Sequence, residues 1–257
     1  ERAAAGDARL QRRLFALVVP CDHYRLCSHV AAWAYKQAPK GAFDRVILIG
    51  PAHGAELDGF SVMDVSGFET PLGVVPLDEP VCGELRKHAL HVPKPELQAA
   101  EYSLEVQLPF LQRALGEFKL VPVLVGEVSQ DEAFNIARAL AGRVTGRTLI
   151  VVSTNFAHYG EQVGYVPFAE NIEGNLRKLD LQAAGLILRK DAAVFEAFLK
   201  ETDMPMPGKG ALFVLLALMP NTASGALLQY DTSGRMTSDF SNSVSYLSLA
   251  FETSGGV

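Results

Sequence analysis

Thiol, carboxyl, amide and imidazole groups are gathered in three short stretches of this chain. These are Pro20-Cys21-Asp22-His23-Tyr24, Gly50-Pro51-Ala52-His53-Gly54 and Ser153-Thr154-Asn155-Phe156-Ala157-His158-Tyr159-Gly160. Imidazole and thiol groups arriving from separate loops are the usual material of an open metal site. Without a metal, the same groups can carry protons. Cys21, flanked by Asp22 and His23, is placed where a thiolate would be useful. Both chemistries stay open on residue type alone.

Each stretch follows an aliphatic run: Leu14 to Val19, Val46 to Ile49 and Thr148 to Val152. Continuous runs of this kind predict strands buried on both faces, as in a parallel sheet covered by helices. Gly50-Pro51 is expected to stop the second strand and deliver His53 onto a loop. The carboxyl ends of parallel strands share one edge, where ligands gather in α/β sheets. Cys21, His23, His53, Asn155 and His158 are therefore expected to converge.

The rest of the chain supplies the layers. Leu120 to Val125 reads as a further strand, and Phe60 to Val65 as another before the turn Thr70-Pro71-Leu72-Gly73. Helices are expected over His29 to Gln37, Asp78 to His88, Asp131 to Ala141 and Gly210 to Met219. A helical region over Phe168 to Lys200 should break at Gly185 or near Asp191. Leu104, Leu108, Leu111 and Leu115 form a helical stripe interrupted by Pro109, which predicts a kink or a late start. Glu105 and Gln107, on that segment, read as solvent-facing. Ala226 to Tyr230 and Val244 to Leu249 read as closing strands, antiparallel at an edge. The expected fold is α/β, a single domain over 1–257 with a central, mostly parallel sheet flanked by helices. Residues 1–13 read as a truncated N-terminal extension.

Composition narrows the function. A net charge of -6 without a basic cluster argues against nucleic acid. The longest apolar stretch, Ala211 to Met219, is about half of the roughly 20 residues a membrane span needs. Three cysteines form no disulfide framework and suit a reducing cytoplasm. Cys27 and Cys82 read as small hydrophobes. His88 and His91 read as solvated, and His29 as a core or capping residue. Gly208-Lys209-Gly210 lacks the length and the Ser or Thr of a phosphate loop.

Taken in order, the three stretches together with Phe68-Glu69-Thr70-Pro71-Leu72-Gly73 and Tyr102-Ser103-Leu104-Glu105-Val106-Gln107-Leu108-Pro109-Phe110-Leu111 resemble the MEMO family. Its prokaryotic members are called AmmeMemoRadiSam system protein B. The resemblance implies the fold of class III extradiol ring-cleaving dioxygenases and a cleft associated with iron or copper. By the same resemblance, the family's first His ligand falls on Cys21, and the following glycine falls on His23. The second His is kept as His53. The late Cys-Gly-x-Gly falls on Pro207-Gly208-Lys209-Gly210, which removes a thiolate. The acid/base motif keeps its His as His158 but carries Asn155 for Asp, and Tyr102 stands where a His precedes Ser.

These substitutions remove ligands and charge while sparing the structural punctuation. The favoured reading is a MEMO-like protein with a degenerate metal cleft that binds a small molecule or a peptide. Its cleft would be formed by Cys21, Asp22, His23, Tyr102 and Lys209. The resemblance also implies a radical-SAM enzyme as partner. The alternative is a metal-dependent oxidoreductase, with iron or copper on His53 and Cys21 and proton transfer by His158 and Asn155.

Overall fold

Eight strands form one sheet in the computed structural model, which describes residues 13–53 and 56–254. Nearly all of the expected N-terminal extension, and Gly54, lie outside the described residues. At the centre run β1 (Arg13–Val19), β2 (Arg45–Pro51), β6 (Lys119–Val125) and β7 (Thr148–Ser153). Their order is β6-β2-β7-β1, and all three pairings are parallel. The aliphatic runs explain this: alternate residues of β2 enter opposite layers. Val46 and Leu48 pack on one face, Ile47 and Ile49 on the other. Such a strand has no solvent face, so both of its edges must be paired.

Antiparallel strands finish the sheet. β3 (Phe60–Ser61) pairs with β6, and β10 (Asn242–Thr253) pairs with β1. β9 (Ser224–Thr232) and β8 (His158–Gly160) both pair with β10. The closing hairpin is thus antiparallel, as its alternation predicts. β3 is only two residues long, not the six expected, and β8 carries no sequence signal. β4 (Gly67–Thr70) and β5 (Gly73–Pro76) form a separate hairpin around the expected turn.

One face is covered by α1 (Tyr24–Tyr35), α3 (Pro95–Ala100), α4 (Tyr102–Glu105) and α5 (Leu108–Leu115). The other carries α2 (Glu79–Leu85), α6 (Gln130–Ala141), α7 (Ile172–Leu188), α8 (Ala192–Thr202) and α9 (Lys209–Leu218). The break between α7 and α8 falls at Asp191, whose side chain accepts from the Val194 amide; Gly185 stays inside α7. Pro109 sits in the first turn of α5, so the late helix start is observed. No described helix is long and apolar enough to cross a membrane.

Two buried polar groups tie the layers together. Gln107 is buried, not solvent-facing as expected, because it occupies the break between α4 and α5. Its amide donates to the Pro20 carbonyl (2.9 Å) and Ser153 Oγ (2.8 Å) and accepts from the Tyr35 hydroxyl (2.7 Å). Asp180, fully buried on α7, accepts from the Ala157 amide (3.1 Å) and the Tyr230 hydroxyl (3.0 Å). Burial raises its carboxyl from 3.8 to about 6, against the opposing pull of those hydrogen bonds.

Replacing Gln107 by Leu would strand the Tyr35 hydroxyl and the Pro20 carbonyl. A loss of about 3 kcal/mol is expected in urea unfolding, and a loss under about 1 kcal/mol would contradict the clamp. For Asp180 the raised value means that the folded state holds its proton more tightly than the unfolded chain. The stabilisation is fully present below pH 3.8 and is lost as pH rises through about 6. Asp180→Asn should flatten the stability–pH curve between those limits by about 3 kcal/mol relative to the parent protein. Unchanged curvature would contradict the assignment.

Candidate functional site

The carboxyl ends of β1, β2 and β7 do share one edge, and the start of β10 joins them there. Gly50 shapes this edge. A side-chain carbon at that position would lie 2.8 Å from both Leu104 Cδ2 and Ser103 Oγ, so any larger residue would have to displace two buried side chains where α4 packs onto β2. That approach sets Glu101, the residue capping α4, beside His53. Glu101 accepts from the His53 amide (2.6 Å), from His53 Nδ1 (2.9 Å) and from the Ser103 amide (2.9 Å). Burial alone would raise its pKa, but the His53 and Ser103 hydrogen bonds outweigh burial and hold it below the ordinary 4.5. The ionised carboxylate can only accept, so Nδ1 carries the proton that bonds to it and Nε2 is the ring nitrogen turned away from Glu101. No reading of the sequence singled out Glu101. The available signal was an acid directly before Tyr102, at the start of α4, where a carboxylate favours the helix dipole.

His53 stacks on Tyr102 with ring centroids 5.2 Å apart and planes within 12°. The imidazole–phenol pair leaves Tyr102 on the wall of an open cleft of about 710 Å³. Asp22 and His23 from the β1–α1 connection and Tyr24 at the start of α1 line the same cleft, as do Glu69 on the hairpin and Glu105 on α4. The hairpin is fastened to α5 through Gln112, which accepts from Thr70 Oγ1 (2.6 Å) and donates to the Gly73 carbonyl (3.1 Å). Asp22 is held by the His23 amide and by the Tyr246 hydroxyl, both at 2.6 Å.

Cys21 does not reach the cleft. It is fully buried, and burial pushes its thiol far above the ordinary range, so no thiolate is presented. The Asn155 amide accepts from the Cys21 N–H (2.9 Å) and donates to the Cys21 carbonyl (3.1 Å). Asn155 is thereby spent on fixing the loop. His158 begins β8 with Nε2 buried and unpartnered. Burial first, and the neighbouring His53 second, lower its pKa from 6.5, while Asp22 acts in the opposite sense.

Lys209 lies elsewhere. It opens α9, pairs with Glu127 at 2.6 Å and lines a second cavity together with Met204, Pro205, Met206 and Pro207. The start of α9 is pinned by Gly208, which touches Thr154 so closely that no side chain fits between them. The other titratable expectations also changed. His88 and His91 are partly buried and both pack against Phe60, at 5.6 and 5.7 Å. His29 pairs with Asp231 of β9 at 2.8 Å. Cys27 and Cys82 are buried, as their helical surroundings predict.

An iron or copper ion needs three or more converging donors, or an open set of two imidazoles and a carboxylate. Among the described residues no group of three His, Cys, Asp or Glu side chains is disposed to hold an ion. The pairing of His53 with Glu101 is the arrangement that orients a ligating imidazole. The complementary donors are missing, because Cys21 is buried and neutral and Pro207 carries no donor. The residues present do not fit the metal that the resemblance implies.

Comparison with known proteins agrees with the fold and the motif order. Residues 4–250 match the sequence model of the family described as Memo-like protein. The memo-1 homolog of Caenorhabditis elegans is 29% identical over 249 residues, 91% of this chain and 71% of that protein. MEMO1 of Xenopus laevis is 30% identical over 90% of this chain and 83% of its own length. A MEMO1 family protein of Thermococcus kodakarensis is 28% identical over 96% of this chain and 89% of its own. Among solved structures, an uncharacterized protein of Escherichia coli K12 superposes with a TM-score of 0.57 at 14% identity, covering 93% of this chain and 99% of that one. That likeness speaks to the fold alone, an α/β domain with a mostly parallel central sheet flanked by helices. With a family match spanning nearly its whole length, the chain belongs to the Memo-like family.

Proposed function

We propose that the protein is a binding member of its family, whose cleft takes a small molecule or the side chain of a peptide. The observation that carries this reading is a walled cleft of about 710 Å³ beside strand ends whose polar groups are committed to the protein itself. Asn155 holds Cys21, Gln107 holds Pro20, and Glu101 holds His53. Cavities of this size with few polar anchors suit small ligands. The radical-SAM partner expected from the family resemblance belongs to the same proposal, and the apolar residues Leu72 and Val74, exposed on the hairpin whose Glu69, Thr70 and Pro71 line the cleft, offer it a surface.

A second reading, proton transfer without metal, is favoured by one observation, the carboxylate on His53 Nδ1. A fixed Nε2 lone pair is what a general base requires. His158, held neutral, is the nearby second imidazole.

Metal analysis separates the binding reading from the oxidoreductase. Protein purified without chelator should carry well under one iron, copper or zinc per chain. Stoichiometric metal that both His53→Ala and Cys21→Ala abolish would overturn the binding reading in favour of the oxidoreductase. The His53 tautomer is a separate measurement. Nitrogen NMR of the imidazole at neutral pH should show Nδ1 protonated in the parent protein and a mixture of tautomers in Glu101→Gln. An unaltered ring spectrum in that variant would contradict the role given to Glu101.

A further inference from the structure

The lining of the cleft selects for charge. Asp22, Glu69 and Glu105 contribute carboxylates to it, and no described lysine or arginine lines it. Glu69 and Glu105 are exposed, and neither forms an ion pair among the described residues. An anionic ligand entering here would meet like charge with no lysine or arginine to offset it.

Two phenol rings make the second, independent feature. Tyr24 is held by its hydroxyl, which donates to the Val106 carbonyl at 3.0 Å, and by edge-on contact with Phe110 at 5.5 Å. Phe110 in turn stacks on buried Tyr35 at 5.3 Å. Tyr102 is held from behind by His53. Both tyrosines are thus fixed plates inside a concavity, yet they remain 45% and 43% exposed. Rigid aromatic rings left uncovered in a cleft and ringed by carboxylates match the recognition of organic cations, whose charge is drawn to the ring face. Leu108, Pro109 and Pro71 provide an apolar floor for the arm that carries such a charge.

We infer that the cleft's ligand is an organic cation, an ammonium or guanidinium group on an apolar arm, recognised by Tyr24 and Tyr102 with Asp22, Glu69 and Glu105. The inference rests on the binding role proposed for this cleft and names the ligand's chemistry. Two sources share that chemistry: a free amine, and a Lys or Arg side chain of a peptide.

Titrations followed by NMR or calorimetry can use phenethylamine, its neutral counterpart 2-phenylethanol and its anionic counterpart phenylacetate. A blocked Ala-Lys-Ala peptide and its Nε-acetylated form make the second arm. The cation should bind about tenfold more tightly than its neutral counterpart, and this preference should shrink at high salt. The double variant Glu69→Gln with Glu105→Gln changes only exposed positions. It should lose most of the preference while keeping the unfolding midpoint. Tyr102→Leu should weaken every cation. Tighter binding of the free amine than of the peptide assigns the ligand as a small molecule, and the reverse order assigns a peptide. Equal binding of cation, neutral and anion at the cleft would overturn the charge inference and leave the binding role standing. No binding by any probe would overturn both.

Discussion

The carboxyl edge of the sheet depends on one buried amide. Gln107 sits where α4 ends and α5 has not begun, and its three hydrogen bonds reach β1 through Pro20, β7 through Ser153 and α1 through Tyr35. A buried amide left unpaired costs several kcal/mol, whereas a fully paired one fixes a single arrangement. Ser153 extends the network by donating to the Ser103 carbonyl at 2.6 Å, which brings α4 onto the same frame. The helix break is therefore more than a concession to Pro109. It opens the gap in which a side chain can bridge two parallel strands at their ends, where the Asn155–Cys21 pair joins the same two strands.

From that frame the site is assembled by approach distances. Gly50 lets α4 touch β2, and Glu101 then meets both the backbone and the ring of His53. His53 presents its face to Tyr102, and Tyr102 closes the inner wall of the cleft. Each contact locks the next, so the aromatic wall is rigid without belonging to a strand. Preorganisation of this kind lowers the entropy a ligand must lose on binding.

Much of this order was legible in the sequence, and the exceptions share a cause. The aliphatic runs identify the parallel strands because burial on both faces leaves no polar positions. Strand-end punctuation then places His53, Asn155 and His158 at one edge. Pro109 marks the start of α5 because its ring is tolerated only in a first turn. Glu101 and Gln107 were opaque for the opposite reason. Each lies on a polar, surface-like segment, and burial comes from an element distant in sequence closing over it. Lys209 failed at the level of side-chain direction: the start of α9 lies near Thr154, but the amine turns to Glu127 in the other cavity. Periodicity reports which residues share a face, and it carries no signal for which way a side chain at a helix end turns.

Cys21 and Asn155 are best understood as a matched pair. The family resemblance implies an imidazole at the position of Cys21, a group that needs space and a polar partner. The thiol here is small enough to vanish into the sheet edge with no accessible surface. Burying that loop strands the backbone N–H and carbonyl of Cys21, and both must be satisfied. An aspartate at position 155 could accept from the N–H but would face the carbonyl oxygen with a second acceptor. An asparagine offers one acceptor and one donor, and the bonds at 2.9 and 3.1 Å use both. The pair thus closes this part of the edge by hydrogen bonds alone. Acidity in the cleft resides in Asp22, Glu69 and Glu105, and His53 stands between the closed edge and the open cleft. It is tied to the closed edge through Glu101 and stacked against the open wall through Tyr102.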